Sequence, residues 1–481
     1  MSQQFGMMAL QLVNMVVIAR LLTPEEIGVF VIALSIVTII QALREMGLSN
    51  YLIREPVLHD KTIRAVFGMS LALCAVLGLG LFAGRYQFEA FMGTPGIAAV
   101  LGPVVLSILI FPIEQPATGL LRRDMRFDVL ARASITAKFI GVMTSIVLAL
   151  LGFSTMSLAY GLLAESVMSV VLLCRVERRH LTLGPGIRGW RPLLSFGAWT
   201  SGAALAGKAT VEGNKLLVGA ILGAGSTAFF DRAARIPGIV RNGLFKPLGS
   251  VLLSSFSEDL RQGRDIGPKV GRVTAITTGM VWPTFAVIAI LADEIVALML
   301  GPQWGMSATI LPWLLLAQGT LSLLPQPEQI LVPHGAVRRL FWLRICQIMT
   351  SLGISYVTLT VTVGSVEQIE VFAWGRPLNA VIFISVIWIS VRNYMGVRLR
   401  EIFAGHLKSG LMALTAAAPV AAWKYAGLGG GSYVALVLSM LLAAALGLGL
   451  GFVLHHPLVL ELKTAATWVL RRRSRSDQTP N

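Results

Sequence analysis

KATVEGNKLLVGAILGAGSTAFFDRAARIPGIVRNGLFK, residues 208–246, reads as two apolar helices joined by a short connection near Gly223 to Ser226. Both helices carry charge where a membrane span should carry none. On the first, Lys208, Glu212 and Lys215 recur at i, i+4 and i+7 and so share one helical face. On the second, Asp231, Arg232, Arg235 and Lys246 fall within roughly a third of the circumference at ~100° per residue. Arg241 points to the other side of an ideal helix, although Pro237 could rotate it. Counting back from the connection at ~1.5 Å per residue sets Lys215 level with Arg232, and Lys208 level with Arg241.

Six cations therefore face two acids, Glu212 and Asp231, in one antiparallel hairpin. Pairing of Glu212 with Lys208 or Lys215, and of Asp231 with Arg235, would satisfy acids that are costly to bury alone. A surplus of positive charge remains. Snorkelling to an interface accounts for Lys246 and for Arg232, but poorly for Lys208 or Arg241. Ionisable groups at bilayer depth usually face a protein interior or a water-filled cavity. The surplus thus points to an anionic cargo, and the bidentate grip of Arg on phosphate oxygens favours a pyrophosphate. The candidate binding residues are Lys208, Lys215, Arg232, Arg235 and Arg241, with Lys246 of second rank. Glu212 and Asp231 are candidates for ion pairing or for coupling to a proton.

The rest of the chain has the same character. Of 481 residues, 55% are hydrophobic and 13% charged, and the mean hydropathy is +0.74. A soluble chain of this length would need far more polar surface. Apolar stretches of span length follow one another from end to end, about fourteen of them, at roughly 34 residues per span and loop. The fold class expected is an all-α polytopic membrane protein. The spans run 5–22, 27–43, 64–84, 97–121, 129–151, 156–174, 192–222, 227–254, 273–291, 306–325, 341–361, 370–391, 411–425 and 433–454. Pro103, Pro112, Pro237, Pro283, Pro312 and Pro377 lie inside them, where neighbours or water must satisfy the freed backbone groups.

The net charge of +16 does not indicate nucleic acid, because the positive residues sit between spans rather than on one face. Connections after even-numbered spans hold Arg54, Lys61, Arg122, Arg123, Arg126, Arg175, Arg178, Arg179, Arg261, Arg264, Lys269, Arg338 and Arg339. Connections after odd-numbered spans hold little beyond Arg20, Arg85 and Lys424. Under the positive-inside rule both termini are cytoplasmic and the span count is even. Pro457 to Leu470, with Trp468 before an arginine run, reads as an amphipathic segment along the cytoplasmic surface. Met1 lies almost inside the first span, which suggests a short cytoplasmic lead upstream, and no secretory signal is evident.

A weak internal repeat supports a division into halves. Gly28-Val-Phe30-Val-Ile-Ala33 opens the second span and Ala228-Phe-Phe230-Asp-Arg-Ala233 opens the eighth. Both stand at equivalent places in two six-span blocks of one orientation, the parallel arrangement common in secondary transporters. The expected organisation is residues 1–191, 192–391, two further spans over 392–455 and a basic tail over 456–481.

Other polar residues carry less. Lys138, Glu165, Glu114, Glu328 and Arg376 read as structural, and Asn14 and Gln11 as cavity-lining or helix-bonding. Cys74, Cys174 and Cys346 are isolated packing residues. His455-His456 reads as a solvated pair, and no set of His or Cys has metal-ligand spacing. No Walker motif, GxSxG or HExxH appears, so ATP hydrolysis and those hydrolytic chemistries are not indicated. A membrane polymerase would need acidic residues at a membrane face and a sizeable external loop. The external pairs Glu25-Glu26 and Asp293-Glu294 fit negative-outside loops instead.

Ala19-Arg-Leu-Leu-Thr-Pro-Glu-Glu-Ile-Gly-Val-Phe30, followed by Glu45-Met-Gly-Leu-Ser-Asn-Tyr-Leu-Ile-Arg54, resembles the polysaccharide-transporter branch of the multidrug/oligosaccharidyl-lipid/polysaccharide flippase superfamily. Gly219 to Arg235 and Leu298-Met-Leu-Gly-Pro-Gln-Trp304 resemble its second half. The resemblance implies a V-shaped bundle of two six-helix lobes with two added helices, working by alternating access without a cofactor. It implies polyprenyl-pyrophosphate-linked oligosaccharide carried from the cytoplasmic to the periplasmic leaflet of a bacterial inner membrane. A cationic cavity would receive the pyrophosphate while the lipid tail stays in the bilayer. Lys208, Lys215, Arg232, Arg235 and Arg241 match that cavity by span, and Arg20 and Arg44 are second-rank candidates. Membrane lipid, a polysaccharide polymerase and export machinery are the implied partners. The alternatives are a drug or cation antiporter of the same superfamily and a membrane polysaccharide polymerase. A cationic cavity disfavours the first, since cationic drugs want acidic or aromatic walls.

Overall fold

The computed structural model describes residues 2–44, 52, 58–186, 198–244, 255–361, 366–396, 399–425, 433–459 and 463. Among these the chain is helical throughout, without a β-sheet. Each of the fourteen expected spans overlies a helix or one arm of a bent helix. Among the described residues, nine helices are long and apolar enough to cross a membrane, and Gly6–Leu21 and Leu438–Val453 are shorter apolar helices. The protein is an all-α polytopic membrane protein.

Helix α1 (Ser2–Leu21) passes into α2 (Pro24–Arg44) through Leu22 and Thr23. The entry to α2 is a capping box. The Thr23 backbone N–H donates to Glu26 Oε2 at 2.8 Å, and the Glu26 N–H donates back to Thr23 Oγ1 at 3.3 Å. Pro24 at the first helical position completes it. Glu26 also accepts from the Ser154 hydroxyl. This acid therefore starts a helix and ties it to a second loop, a more specific use than a negative-outside loop requires.

Helices α3 (Asp60–Ala83), α4 (Arg85–Met92), α5 (Ile97–Arg123), α6 (Phe127–Leu150), α7 (Thr155–Val176) and α8 (Arg179–Leu183) follow. The long bent helix α9 (Ala198–Leu244) comes next, then α10 (Gly267–Ile290), α11 (Ala292–Met299), α12 (Gly305–Leu321) and α13 (Pro327–Leu331). Last are α14 (Val337–Thr360), α15 (Gln368–Met395), α16 (Leu399–Tyr425) and α17 (Tyr433–Val453). The eight-residue α4 and α11 were not expected. They are too short to register as spans. Each follows the third helix of its six-span block, which extends the internal repeat. Pro116 in α5 and Pro419 in α16 join the expected prolines inside helices.

The chain divides into two compact units, one of residues 1–232, 296–307 and 344–372 and the other of the remainder. In the first, Ile32, Val37, Cys74, Ile97, Leu101, Val104, Ile108 and Ala159 form the core of α2, α3, α5 and α7. Cys74 packs there as expected, whereas Cys346 is exposed. Lys138 on α6 and Glu165 on α7 pair with each other at 2.8 Å.

In the second unit, Thr278 of α10, His406 and Ser409 of α16 and His456 form a buried polar seam. This corrects the reading of His455-His456 as a solvated pair. His455 takes a left-handed φ of 49°, turning the chain under the end of α17. That turn delivers the His456 ring to the Ser409 hydroxyl at 3.1 Å, while Leu458 N–H donates to its Nδ1 at 3.2 Å.

Contacts within each unit join loops of the same parity. Asp60 pairs with Arg179 and Arg123 donates to the Leu52 carbonyl, all on even-numbered connections. Lys424 pairs with Asp293 and Glu294, on odd-numbered ones. The alternation of loops deduced from charge is thus matched by which loops touch. Beyond residue 459 the amphipathic segment and basic tail lie outside the described residues, apart from Lys463, as do residues 45–51, 53 and 54 of the quoted motif.

Candidate functional site

Helix α9 contains the charged hairpin. Gly223, at φ 83°, breaks the helix between residues 222 and 224. A side chain there would be strained, so glycine sets the turn. Along a straight helix, Lys215 and Asp231 would lie ~24 Å apart. Instead Lys215 Nζ is 3.1 Å from Asp231 Oδ1, so the two arms fold back on each other.

The apex of the hairpin sits on α2. A Cβ on Gly28 would fall 1.9 Å from the Ala224 carbonyl oxygen, so only glycine lets the two backbones approach this closely. On the other side of the first arm, Asn214 donates to Ser351 Oγ at 2.9 Å and accepts from the Ser355 hydroxyl at 2.5 Å, both on α14. This buried polar contact between helices is the kind that holds membrane helices together.

Four charges meet inside the hairpin. Lys215 Nζ is 2.9 Å from Glu212 Oε2 and 3.1 Å from Asp231 Oδ1, and Arg232 Nη1 is 3.8 Å from Asp231 Oδ2. Ser35 of α2 brings its hydroxyl to 3.1 Å from Glu212 Oε2. Arg232 is only 5% exposed and Asp231 only 2%. The Arg232 guanidinium carbon stands 5.8 Å from the centroid of the Trp304 ring. Two acids and two bases make a formally neutral quartet.

The candidate residues therefore separate into two groups. Lys215 and Arg232 are drawn inward with Glu212 and Asp231. Lys208, Arg235 and Arg241 stay on exposed faces of the arms. The expected depth match holds at the inner level, where Lys215 meets the Asp231–Arg232 pair. The shared face of Lys208, Glu212 and Lys215 does not make one cluster: Lys208 is exposed, and Glu212 pairs with Lys215. Arg20 donates to the Leu298 carbonyl. Lys246 and the side chain of Arg44 lie outside the described residues.

Sequence reading missed Arg344 of α14, whose Nε lies 4.0 Å from where a Cβ on Gly207 would stand, next to Lys208. It also missed Trp304. Both were hidden because they approach the hairpin from distant parts of the chain, and no spacing rule links them to it.

The polysaccharide biosynthesis protein family matches residues 17–309. The succinoglycan biosynthesis transport protein ExoT of Rhizobium meliloti is 25% identical over 398 residues, covering 80% of this chain and 78% of that protein. The lipopolysaccharide biosynthesis protein WzxC of Escherichia coli is 21% identical over 297 residues, covering 61% and 60%. Among solved structures, the lipid II flippase MurJ in an inward closed conformation superposes with a TM-score of 0.73, at 14% identity, over 95% of this chain and 98% of that one. An inward-facing multidrug resistance transporter of the MATE family gives 0.64, at 16% identity, over 81% and 95%. The chain belongs to the polysaccharide biosynthesis protein family.

Proposed function

We propose that the protein carries polyprenyl-pyrophosphate-linked oligosaccharide repeat units from the cytoplasmic to the periplasmic leaflet of a bacterial inner membrane, for exopolysaccharide, capsule or O-antigen synthesis. Both termini face the cytoplasm, and the flipped unit passes to a polymerase and export machinery. The cycle is alternating access, with residues 1–191 and 192–391 as its halves. No step of it is enzymatic.

The observation that supports this reading is the division of charge on α9. Glu212 and Asp231 neutralise Lys215 and Arg232, while Lys208, Arg235 and Arg241 lie exposed on the arms. A pyrophosphate carries several oxygens for such donors, and charge-assisted bonds to them are the strong ones. Lys208, Arg235 and Arg241 bind the anion. Lys215 and Arg232 hold the hairpin that presents those three residues, and Arg20, Arg44 and Lys246 contribute at the ends of the path. Replacing the exposed cations in a host depleted of the native protein, and following surface polysaccharide, tests the assignment.

A further inference from the structure

Helix α1 ends without a glycine cap, because the chain enters α2 almost at once. Its last carbonyls need donors from elsewhere. They come from residues 298–307, far along the sequence. The Gln303 amide donates to the Ala19 carbonyl at 2.6 Å and reaches the Leu22 carbonyl at 3.3 Å. The Trp304 indole N–H donates to the same Ala19 carbonyl at 2.9 Å. Arg20 reciprocates, donating to the Leu298 carbonyl.

Trp304 is completely buried. Its ring packs edge-on against Phe229 at 5.8 Å, and the Ser307 hydroxyl donates to the Phe229 carbonyl at 3.0 Å. Arg232 of the quartet lies on the same ring. A clasp thus joins the end of α1 to the second arm of α9, and Arg232 connects it to the charged interior. Residues 296–307 belong to the first compact unit, although the chain on either side of them belongs to the second.

We infer that this clasp is a latch on the outer end of the transport path, formed by Gln303 and Trp304 on the carbonyls of α1. The inference rests on the alternating-access reading above. By parity the end of α1 and residues 298–304 lie on odd-numbered connections, the outward ones. The latch is shut while substrate enters from inside, and outward opening requires its hydrogen bonds to break. Neutral hydrogen bonds of this kind are individually modest, which suits a contact made and broken in every cycle.

The test uses the full-length protein with Cys74, Cys174 and Cys346 replaced by serine and Lys208→Cys as reporter, in sealed vesicles of known orientation. A membrane-impermeant thiosulfonate is applied to either side. Gln303→Leu and Trp304→Phe should each raise the labelling rate from outside by roughly five- to tenfold. Gln303 is exposed, so its replacement keeps the test open if Trp304→Phe does not accumulate. An outside rate unchanged by Gln303→Leu, with labelling from inside intact, overturns the latch alone. Labelling from neither side in any background overturns the alternating-access reading, and the latch with it.

Discussion

Lys215 and Asp231 stand at equal distances along the chain from Gly223, and their side chains meet at 3.1 Å across the hairpin of α9. The turn at Gly223 sets this symmetry, and the ion pair fixes it. Glu212 and Arg232 complete a neutral group at a depth where an isolated charge would be expensive. The hairpin can therefore carry further cations on its outer faces without leaving its interior charged.

Removing the central member should be costly. Lys215→Met removes the cation that Glu212 and Asp231 share, leaving two acids against Arg232, and is expected to lower stability by about 3–5 kcal/mol. Adding Glu212→Gln, which returns the group to neutrality with Asp231 and Arg232 still paired, should restore much of the loss. Thermal melting of the purified protein in detergent reads both effects. A single variant that melts like the native protein would contradict the network.

The seat of the hairpin on α2 is equally specific. Gly28→Ala places a methyl group against the Ala224 carbonyl, which neither backbone can yield cheaply. The expected cost is about 1–3 kcal/mol. It would appear as loss of monodisperse protein in size-exclusion chromatography, with Gly80→Ala, whose surroundings are open, as a control that behaves natively.

The exposed cations should matter for transport and not for folding. Lys208→Ala and Arg235→Ala are expected to lower polysaccharide export about tenfold or more, the scale of a lost charged hydrogen bond, at unchanged protein levels in the membrane. Lys208→Arg should retain export. Full export in both alanine variants would remove these residues from the site.

Stability should also depend on pH through the seam in the second unit. Burial, and then the positive charge of Lys408, holds His456 at about 4, below its ordinary value of 6.5. His406 shares the seam through Thr278 and Ser409. Because the folded state binds this proton less readily than the unfolded state, the contribution is fully present above pH ~6.5 and is lost as the pH falls toward 4. His456→Gln should flatten that part of a melting-temperature profile measured between pH 4 and 7. A slope identical to the native one would assign the effect to another group.

Most of the architecture was legible because hydropathy and the placement of arginines are strong signals in membrane chains, and every expected span overlies a helix or an arm. The hairpin was legible in register, from counting residues either side of the connection. Its internal pairing was not, since Glu212 could reach Lys208 or Lys215 by spacing alone and only the packing against Ser35 and Asp231 selects Lys215. His456 escaped for a similar reason. A pair of histidines after a span looks solvated until the left-handed turn at His455 is seen to bury the second ring. Gln303 and Trp304 lay in a stretch that marked the family, but nothing local to them points to the end of α1.

The most direct measurement is the sidedness of lipid-linked oligosaccharide in the inner membrane of cells that lack this protein, assayed beside surface polysaccharide. The account predicts lost surface glycan, with single repeat units held on the cytoplasmic leaflet. Repeat units that reach the periplasmic leaflet and stay unpolymerised would contradict it, and would make the protein act after flipping.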